Sequence, residues 1–415
     1  MLRNKGVAAK WSLENTEMVD EPNRPHFSHK RSSMDIAPQI AIKPASSTPV
    51  QEQVRREIRQ FLAENLGPRD SRSAWYWNEF CPEFTRKLGE AGWLGMTWPK
   101  QYGGRDRPML ERFVVLEELL AVGAPLSAHW VAERQCGPLL MRYGTPELCD
   151  AIVPRIAKGE IYFCIGLSEP DSGSDLASIR TRAERVSGGW IINGSKVWTS
   201  HAHKTHYMSA LVRTAQGLPS KHAGLSQFVV DMKSPNITVR PIRNMVGGDG
   251  FAEVIFDDVF VPDTHLIGQE GEGWKQVTTE LIFERSGPDR YLSSLPLLSE
   301  MLDRADENDR LQAVELGLAL AELSNLRAMS RGIGQMLTCG EDPRLATSIV
   351  KDLGAVHEQS IPQLAHKLFG EELRQAGDSF QRAQTFWTQY SVCYSIRGGT
   401  REILRGIVAK GLGLK

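Results

Sequence analysis

The residues best suited to chemistry gather first in one stretch. Cys164 to Asp175 reads Cys-Ile-Gly-Leu-Ser-Glu-Pro-Asp-Ser-Gly-Ser-Asp. Ile161 to Leu167 has strand composition, so Ser168 follows where an extended chain presents a hydroxyl and a free N–H at its edge. Glu169-Pro170 then breaks the ladder. Asp171, Ser172, Gly173, Ser174 and Asp175 can turn tightly and aim N–H groups and hydroxyls at one polar, anionic ligand. Taken alone, such a Gly/Ser stretch is an ordinary loop. His201, His203 and His206 invite a metal reading, but no carboxylate or cysteine completes a ligand set beside them, and a polar loop explains them better. The six cysteines form no Cys-x-x-Cys pair, which fits a reducing cytosol with Cys164 packed as a small apolar residue.

These groups need elements to position them. A chain of 415 residues is too long for one ordinary core, and two or three domains are expected. Hydrophobic content of 41% and charged content of 24% are globular values. A formal net charge of -1 removes the bulk electrostatic case for nucleic acid or an anionic membrane. No apolar run approaches the roughly 18 residues of an integral membrane segment. Residues 1–48 lack apolar periodicity and read as a disordered extension. Met34 offers an alternative start, and Glu14, Glu17, Asp20 and Glu21 argue against an acid-poor leader, so a cytoplasmic location is expected.

Residues 49–160 carry the helical period: Val50, Val54, Ile58, Phe61 and Leu62, then segments near 79–91, 108–122, 128–143 and 146–157. Residues 161–270 switch to a period of two. Strands are expected at 161–167, 179–186, 189–192, 196–199, 206–213, 226–231, 237–241 and 252–261, with turns at Ser187-Gly-Gly, Asn193-Gly194 and Asp257-Asp258. Residues 271–415 return to the helical period over 274–302, 310–337, 344–369 and 383–404. The order predicts an α+β multidomain fold: an N-terminal helical domain, a central antiparallel β-barrel or sandwich, and a C-terminal four-helix bundle.

With this order in hand, the sequence resembles the acyl-CoA dehydrogenase family of flavoproteins over residues 50–412. The resemblance rests on Leu167-Ser-Glu-Pro-Asp-Ser-Gly-Ser-Asp, Asn193-Gly-Ser-Lys-Val-Trp-Thr-Ser, Phe251-Ala-Glu-Val-Ile-Phe-Asp-Asp-Val-Phe-Val-Pro and Gly398-Gly-Thr-Arg-Glu-Ile-Leu-Arg, with Gly92-Trp-Leu-Gly-Met-Thr-Trp-Pro and Gln135-x-Gly-Pro in the first domain. It implies FAD between the β domain and the last helices, with an acyl-CoA thioester along the flavin. Leu167 and Ser168 would meet the isoalloxazine edge. Gly173 and Ser174 would take the pyrophosphate side and the neck of the CoA ligand. Trp198 and Thr199 belong to the segment covering the flavin face, Ser200 would donate near N5, and Thr400 and Glu402 fall on the motif that closes over the cofactor.

The family reaction needs a carboxylate to remove the α proton of the thioester. One branch carries it just before the late Gly-Thr pair, where this chain has Gly398. Another branch carries it on the first helix of the last domain, which implies Glu284. Leu281, Ile282 and Phe283 would surround it with apolar surface and raise its pKa toward a useful range. Arg285 would hold the late loop, and the Gly398 N–H would face the thioester oxygen. The resemblance further implies an electron-transfer flavoprotein as acceptor and a homotetramer or dimer. Two family elements are missing: Arg-x-x-Phe-Gly, for which Arg290-Tyr291 is a weak substitute, and Gln-x-x-Gly-Gly-x-Gly, replaced by His366-Lys-Leu-Phe-Gly-Glu-Glu. These gaps leave room for a heteromer or a non-catalytic subunit. A flavin monooxygenase or nitroalkane-oxidase-like enzyme on the same scaffold is the other alternative.

Overall fold

The computed structural model describes residues 42–67, 77–375 and 379–414, without the side chains of Ile282, Phe283, Glu284, Ser286 and Gln375. The extension anticipated at 1–48 lies outside the described residues apart from 42–48. That short stretch is held by the Arg331 guanidinium, which donates to the carbonyls of Ala45 and Ser46 at 3.2 Å each.

Helix α1 (Pro49–Asn65) starts where Thr48 accepts from the Gln51 N–H and Pro49 fills the first turn, a strong N-terminal signal. α2 (Pro82–Glu90), α3 (Met109–Ala121), α4 (Ser127–Val131), α5 (Gly137–Tyr143) and α6 (Pro146–Ala157) follow. α4 and α5 are joined through a π-helical turn at Ala132–Cys136, so the helix expected over 128–143 is one rod with a local widening. Val54, Ile58, Leu88, Val114 and Leu120 close its core.

The central region is an eight-stranded sheet of β1 (Phe163–Gly166), β2 (Arg182–Val186), β3 (Gly189–Ser200), β4 (Tyr207–Arg213), β5 (Leu225–Asp231), β6 (Ile237–Ile242), β7 (Phe251–Pro262) and β8 (Leu266–Ile267). Its order is β6-β7-β3-β2-β4-β5-β8, with β1 on β4. Most pairings are antiparallel, but β1 and β2 run parallel to β4, so the sheet is mixed.

Two expectations change for physical reasons. The strand anticipated from Ile179 begins only at Arg182, because the Glu169 carboxylate takes the N–H groups of Arg180 and Thr181 at 2.6 and 2.9 Å. Asn193-Gly194 and Asp257-Asp258 are not turns. They face each other in the continuous strands β3 and β7: the Asn193 amide donates to Asp258 at 2.8 Å and accepts the Asp258 N–H at 2.9 Å. The register slips there, and the signals mark a bulge.

The last region comprises α7 (Gly273–Ser286), α8 (Leu295–Arg304), α9 (Arg310–Thr338), α10 (Arg344–Gln375), α11 (Ser379–Tyr390) and α12 (Arg401–Gly411). Two helices expected as single rods are each divided. Gly287-Pro288 ends α7, since proline cannot donate to the helix ladder. Gly398 and Gly399, with φ of +69° and +101°, separate the α11 side from α12.

Candidate active site

The Leu167–Asp175 loop is built from below by a lysine. Lys196 on β3 is fully buried, and its ammonium donates to the Leu167 carbonyl at 3.0 Å and the Glu169 carboxylate at 2.9 Å. Burial pushes the Lys196 pKa down to about 8 against the pull of Glu169. Burial also opposes ionisation of Glu169, but Lys196 and the N–H groups of Arg180 and Thr181 hold its carboxyl below the usual range. Beyond Glu169 the loop turns outward. The Ser172 hydroxyl caps the Asp175 carbonyl at 2.5 Å, while Gly173 and Ser174 are exposed, and a side-chain carbon at Gly173 would meet nothing within 4 Å.

Trp198 stands in the open. Its register on β7 slips between Lys196 and Thr199, and Trp198 adopts a left-handed φ of +59°. That bulge turns the indole outward, so it is 60% exposed, edge-on to Phe251 at 6.2 Å. A strained backbone that exposes a tryptophan points to a ligand surface rather than to packing. Next to it, Thr199 is buried with its hydroxyl lacking a partner among the described residues, and Ser200 is half-buried. An exposed aromatic face beside an orphaned hydroxyl fits a flat, polar-edged group such as the flavin that the sequence motifs imply. His201 closes the strand at φ +53°, where burial and then Lys204 and His203 push its pKa down to about 4. Among the described residues no group of His, Cys, Asp or Glu is arranged to hold a metal.

α7 connects this loop to the late one. Val277 is buried in a small apolar cluster with Ile179, Leu211 and Leu225, and Leu167 and Leu281 both pack against that cluster. Gln276 donates to the Ile267 carbonyl at 2.8 Å, and one turn later Glu280 accepts from Gln227 at 3.1 Å, which seats α7 on β5 and β8. Position 284 comes a further turn along, its side chain outside the described ones. Arg285 then donates from Nε to the Gly398 carbonyl at 2.9 Å. The structure thus brings Arg285 and Gly398 together.

The late loop has further supports. Lys351 on α10, also fully buried, donates to the carbonyls of Tyr394 and Gly399 at 2.8 and 3.2 Å. Arg397 donates from one terminal nitrogen to the Asp289 carbonyl, the Ser293 hydroxyl and Glu358, with its guanidinium 4.2 Å from the Tyr394 ring centroid. Thr400 caps α12 by accepting the Ile403 N–H at 3.4 Å, while Glu402 is exposed in the first turn. Sequence reasoning assigned no role to Lys196, Lys351 or Arg397. Lys196 lies inside a motif quoted for other residues; Lys351 sits in a helical pattern where a lysine reads as a solvated face.

A cavity of about 510 Å³ opens where α7 breaks, lined by Gly287 and Pro288 and walled by Trp98, Phe113, Leu116 and Met141. Two buried ion pairs meet it: Arg112 with Glu133, and Arg134 with Asp289 at 3.0 Å.

Comparison with known proteins agrees with this layout. The model for the acyl-CoA dehydrogenase N-terminal domain matches residues 48–160, and that for the middle domain matches residues 164–259. The chain is 34% identical over 374 residues to the acyl-CoA dehydrogenase FadE34 of Mycobacterium tuberculosis, covering 86% of this chain but only 50% of that protein. It is 31% identical over 382 residues to the acyl-CoA dehydrogenase IpdE1 of the same organism, covering 86% of this chain and 96% of that one. Among solved structures, the Tcur3481-Tcur3483 steroid ACAD superposes with a TM-score of 0.82 at 28% identity, over 89% of this chain and 99% of that one.

Proposed function

The chain belongs to the acyl-CoA dehydrogenase family, and on that premise we propose that it binds FAD and oxidises the α,β bond of an acyl-CoA thioester to the 2,3-enoyl-CoA. The observation that carries this reading is α7. One helix packs toward Leu167 at its middle and bonds the Gly398 carbonyl through Arg285 at its end, with Glu284 between.

In this reading the Leu167–Ser174 loop, Trp198, Thr199 and Ser200 hold the cofactor, with Thr400 and Glu402 closing over it. FAD, when bound, supplies the acceptor for the hydride that leaves Cβ. Glu284 takes the α proton as general base, so that a double bond remains between Cα and Cβ. Negative charge develops on the thioester oxygen, and the Gly398 N–H is the donor aimed at it. Arg285, by holding the Gly398 carbonyl, keeps that turn in place. The neck of the CoA ligand passes Ser174. An electron-transfer flavoprotein in the cytoplasm takes the two electrons onward.

The cavity beside Gly287-Pro288, one turn beyond position 284, and the name of the steroid ACAD relative support a bulky, ring-containing acyl group. A second reading, a subunit that works within a heteromer, is favoured by the two missing cofactor motifs and by the similar fold of the ChsE4-ChsE5 complex of Mycobacterium tuberculosis. The FadE34 relative is also about twice as long as the stretch matched here. The alternative assembly is a homotetramer or dimer.

Purification followed by anaerobic mixing with an acyl-CoA panel tests the proposal. Yellow protein bleached by at least one thioester is expected. Yellow protein that no thioester bleaches contradicts dehydrogenation, and colourless protein that becomes active only with a second chain moves the case to the heteromer.

A further inference from the structure

Among the described residues, Lys196 and Lys351 are the lysines with fully buried side chains, at 0% and 1% exposure. They share no element and lie far apart in sequence. Each nevertheless ends on backbone carbonyls of a loop that faces the proposed ligands: Lys196 on Leu167, Lys351 on Tyr394 and Gly399. Burying an ammonium is unfavourable unless strong acceptors surround it, and one carboxylate or a pair of carbonyls meets that need in these two places.

The consequence follows from peptide geometry. A trans peptide is planar, with its C=O and the next residue's N–H pointing in opposite directions, and no described peptide bond is cis. Fixing the Leu167 carbonyl on Lys196 therefore turns the Ser168 N–H away from the protein interior. Fixing the Gly399 carbonyl on Lys351 turns the Thr400 N–H away from α10, and Arg285 does the same for the Gly399 N–H through the Gly398 carbonyl. None of these three N–H groups has a protein acceptor among the described residues. A cation on a carbonyl also polarises the peptide and strengthens the N–H at its other end.

We propose that Lys196 and Lys351 are a matched pair of positioning residues: each pins a carbonyl from inside so that the following amide is aimed outward, Ser168 at the cofactor edge and Thr400, with Gly399, at the cofactor the late loop closes over, which also holds in place the turn that presents the Gly398 N–H to the thioester oxygen. The inference rests on the dehydrogenase reading for the identity of the ligands, but the aiming itself does not. Glu169 distinguishes the two devices. The Lys196 end is a neutral pair inside the β region, whereas Lys351 braces a turn of two glycines with positive φ, which would otherwise sample many conformations.

The test is hydrogen exchange on the full-length holoprotein with Lys351→Met, and with Lys196→Met/Glu169→Gln so that no unpaired carboxylate is left buried. Lys351→Met should speed exchange at Gly399 and Thr400 by about tenfold or more while Ser168 is unaffected. It should lower kcat by about tenfold or more with a much smaller change in KM, the split expected when a transition-state donor is misaimed. The double variant should speed exchange at Ser168, leave Thr400 protected, and weaken FAD binding measured by flavin release. Unchanged exchange at Thr400 in Lys351→Met, or a uniform rise in both loops from either variant, overturns the assignment. If no acyl-CoA reduces the wild-type flavin, the dehydrogenase reading fails, and the exchange pattern still decides the aiming.

Discussion

The cradle loop after β1 and the late loop before α12 are held in place by different means. The cradle grows from a β sheet, and its supports are local: Lys196, Glu169, Thr181 and Ser172 all lie on β3 or in the loop's own return path. The late loop belongs to no sheet. Its carbonyls reach two separate helices, through Arg285 on α7 and Lys351 on α10, and its own Arg397 side chain bonds the Asp289 carbonyl and Glu358 of α10. A loop built into a sheet is fixed once the sheet folds, while one hung between helices depends on their mutual packing. The comparison teaches that the loop after β1 is set by the sheet while the late loop depends on how α7 and α10 pack, which under the proposed function makes the cofactor side preassembled and the substrate side adjustable.

The largest expected effect tests the preassembled side. Lys196→Met leaves Glu169 buried without its cation and should cost about 3–5 kcal/mol, read as a lower midpoint in denaturant unfolding. A small loss would show that the cradle is not held from below. Acid should separate the two loops next. Folded His201 stays neutral down to about pH 4, whereas the unfolded chain takes up its proton near 6.5. The unfolded state therefore binds more protons in that window, and stability falls as pH drops through it, by about 3 kcal/mol in total. His201→Gln should flatten that slope. Burial pushes the carboxyl of Glu358, which the late loop's Arg397 bonds, above its ordinary range, so the folded state binds the extra proton there and that group shifts stability the opposite way as pH drops.

The fold was legible because it is written in periods and stop signals, such as Thr48-Pro49 before α1 and the Ser187-Gly-Gly turn. Asn193-Gly194 misled because a turn dipeptide and a bulge have the same composition, and only the cross-strand partner Asp258 tells them apart. Gly287-Pro288 carried its own warning, since a helix expected to reach 302 had a proline inside it. Within the candidate site, the loop residues were visible as a motif. Lys351 was not, because a single lysine in an amphipathic helix has no local signature of burial, and its acceptors lie more than forty positions away.

Smaller substitutions sharpen the same contrast. Gly398 has a φ of +69°, and Gly398→Ala should cost about 1–2 kcal/mol in backbone strain, with turnover falling more than FAD content. Gly173→Ala should leave stability within about 0.5 kcal/mol of wild type, since nothing lies within 4 Å of the added carbon. Any loss of acyl-CoA affinity in that variant then reports the ligand rather than the fold.

The central claim is that α7 delivers Glu284 to a substrate lying between these two loops. Single-turnover flavin reduction of Glu284→Gln with an acyl-CoA that bleaches the wild type measures it directly. The account predicts full FAD content and bleaching slowed by about a hundredfold or more. Bleaching at the wild-type rate would contradict it.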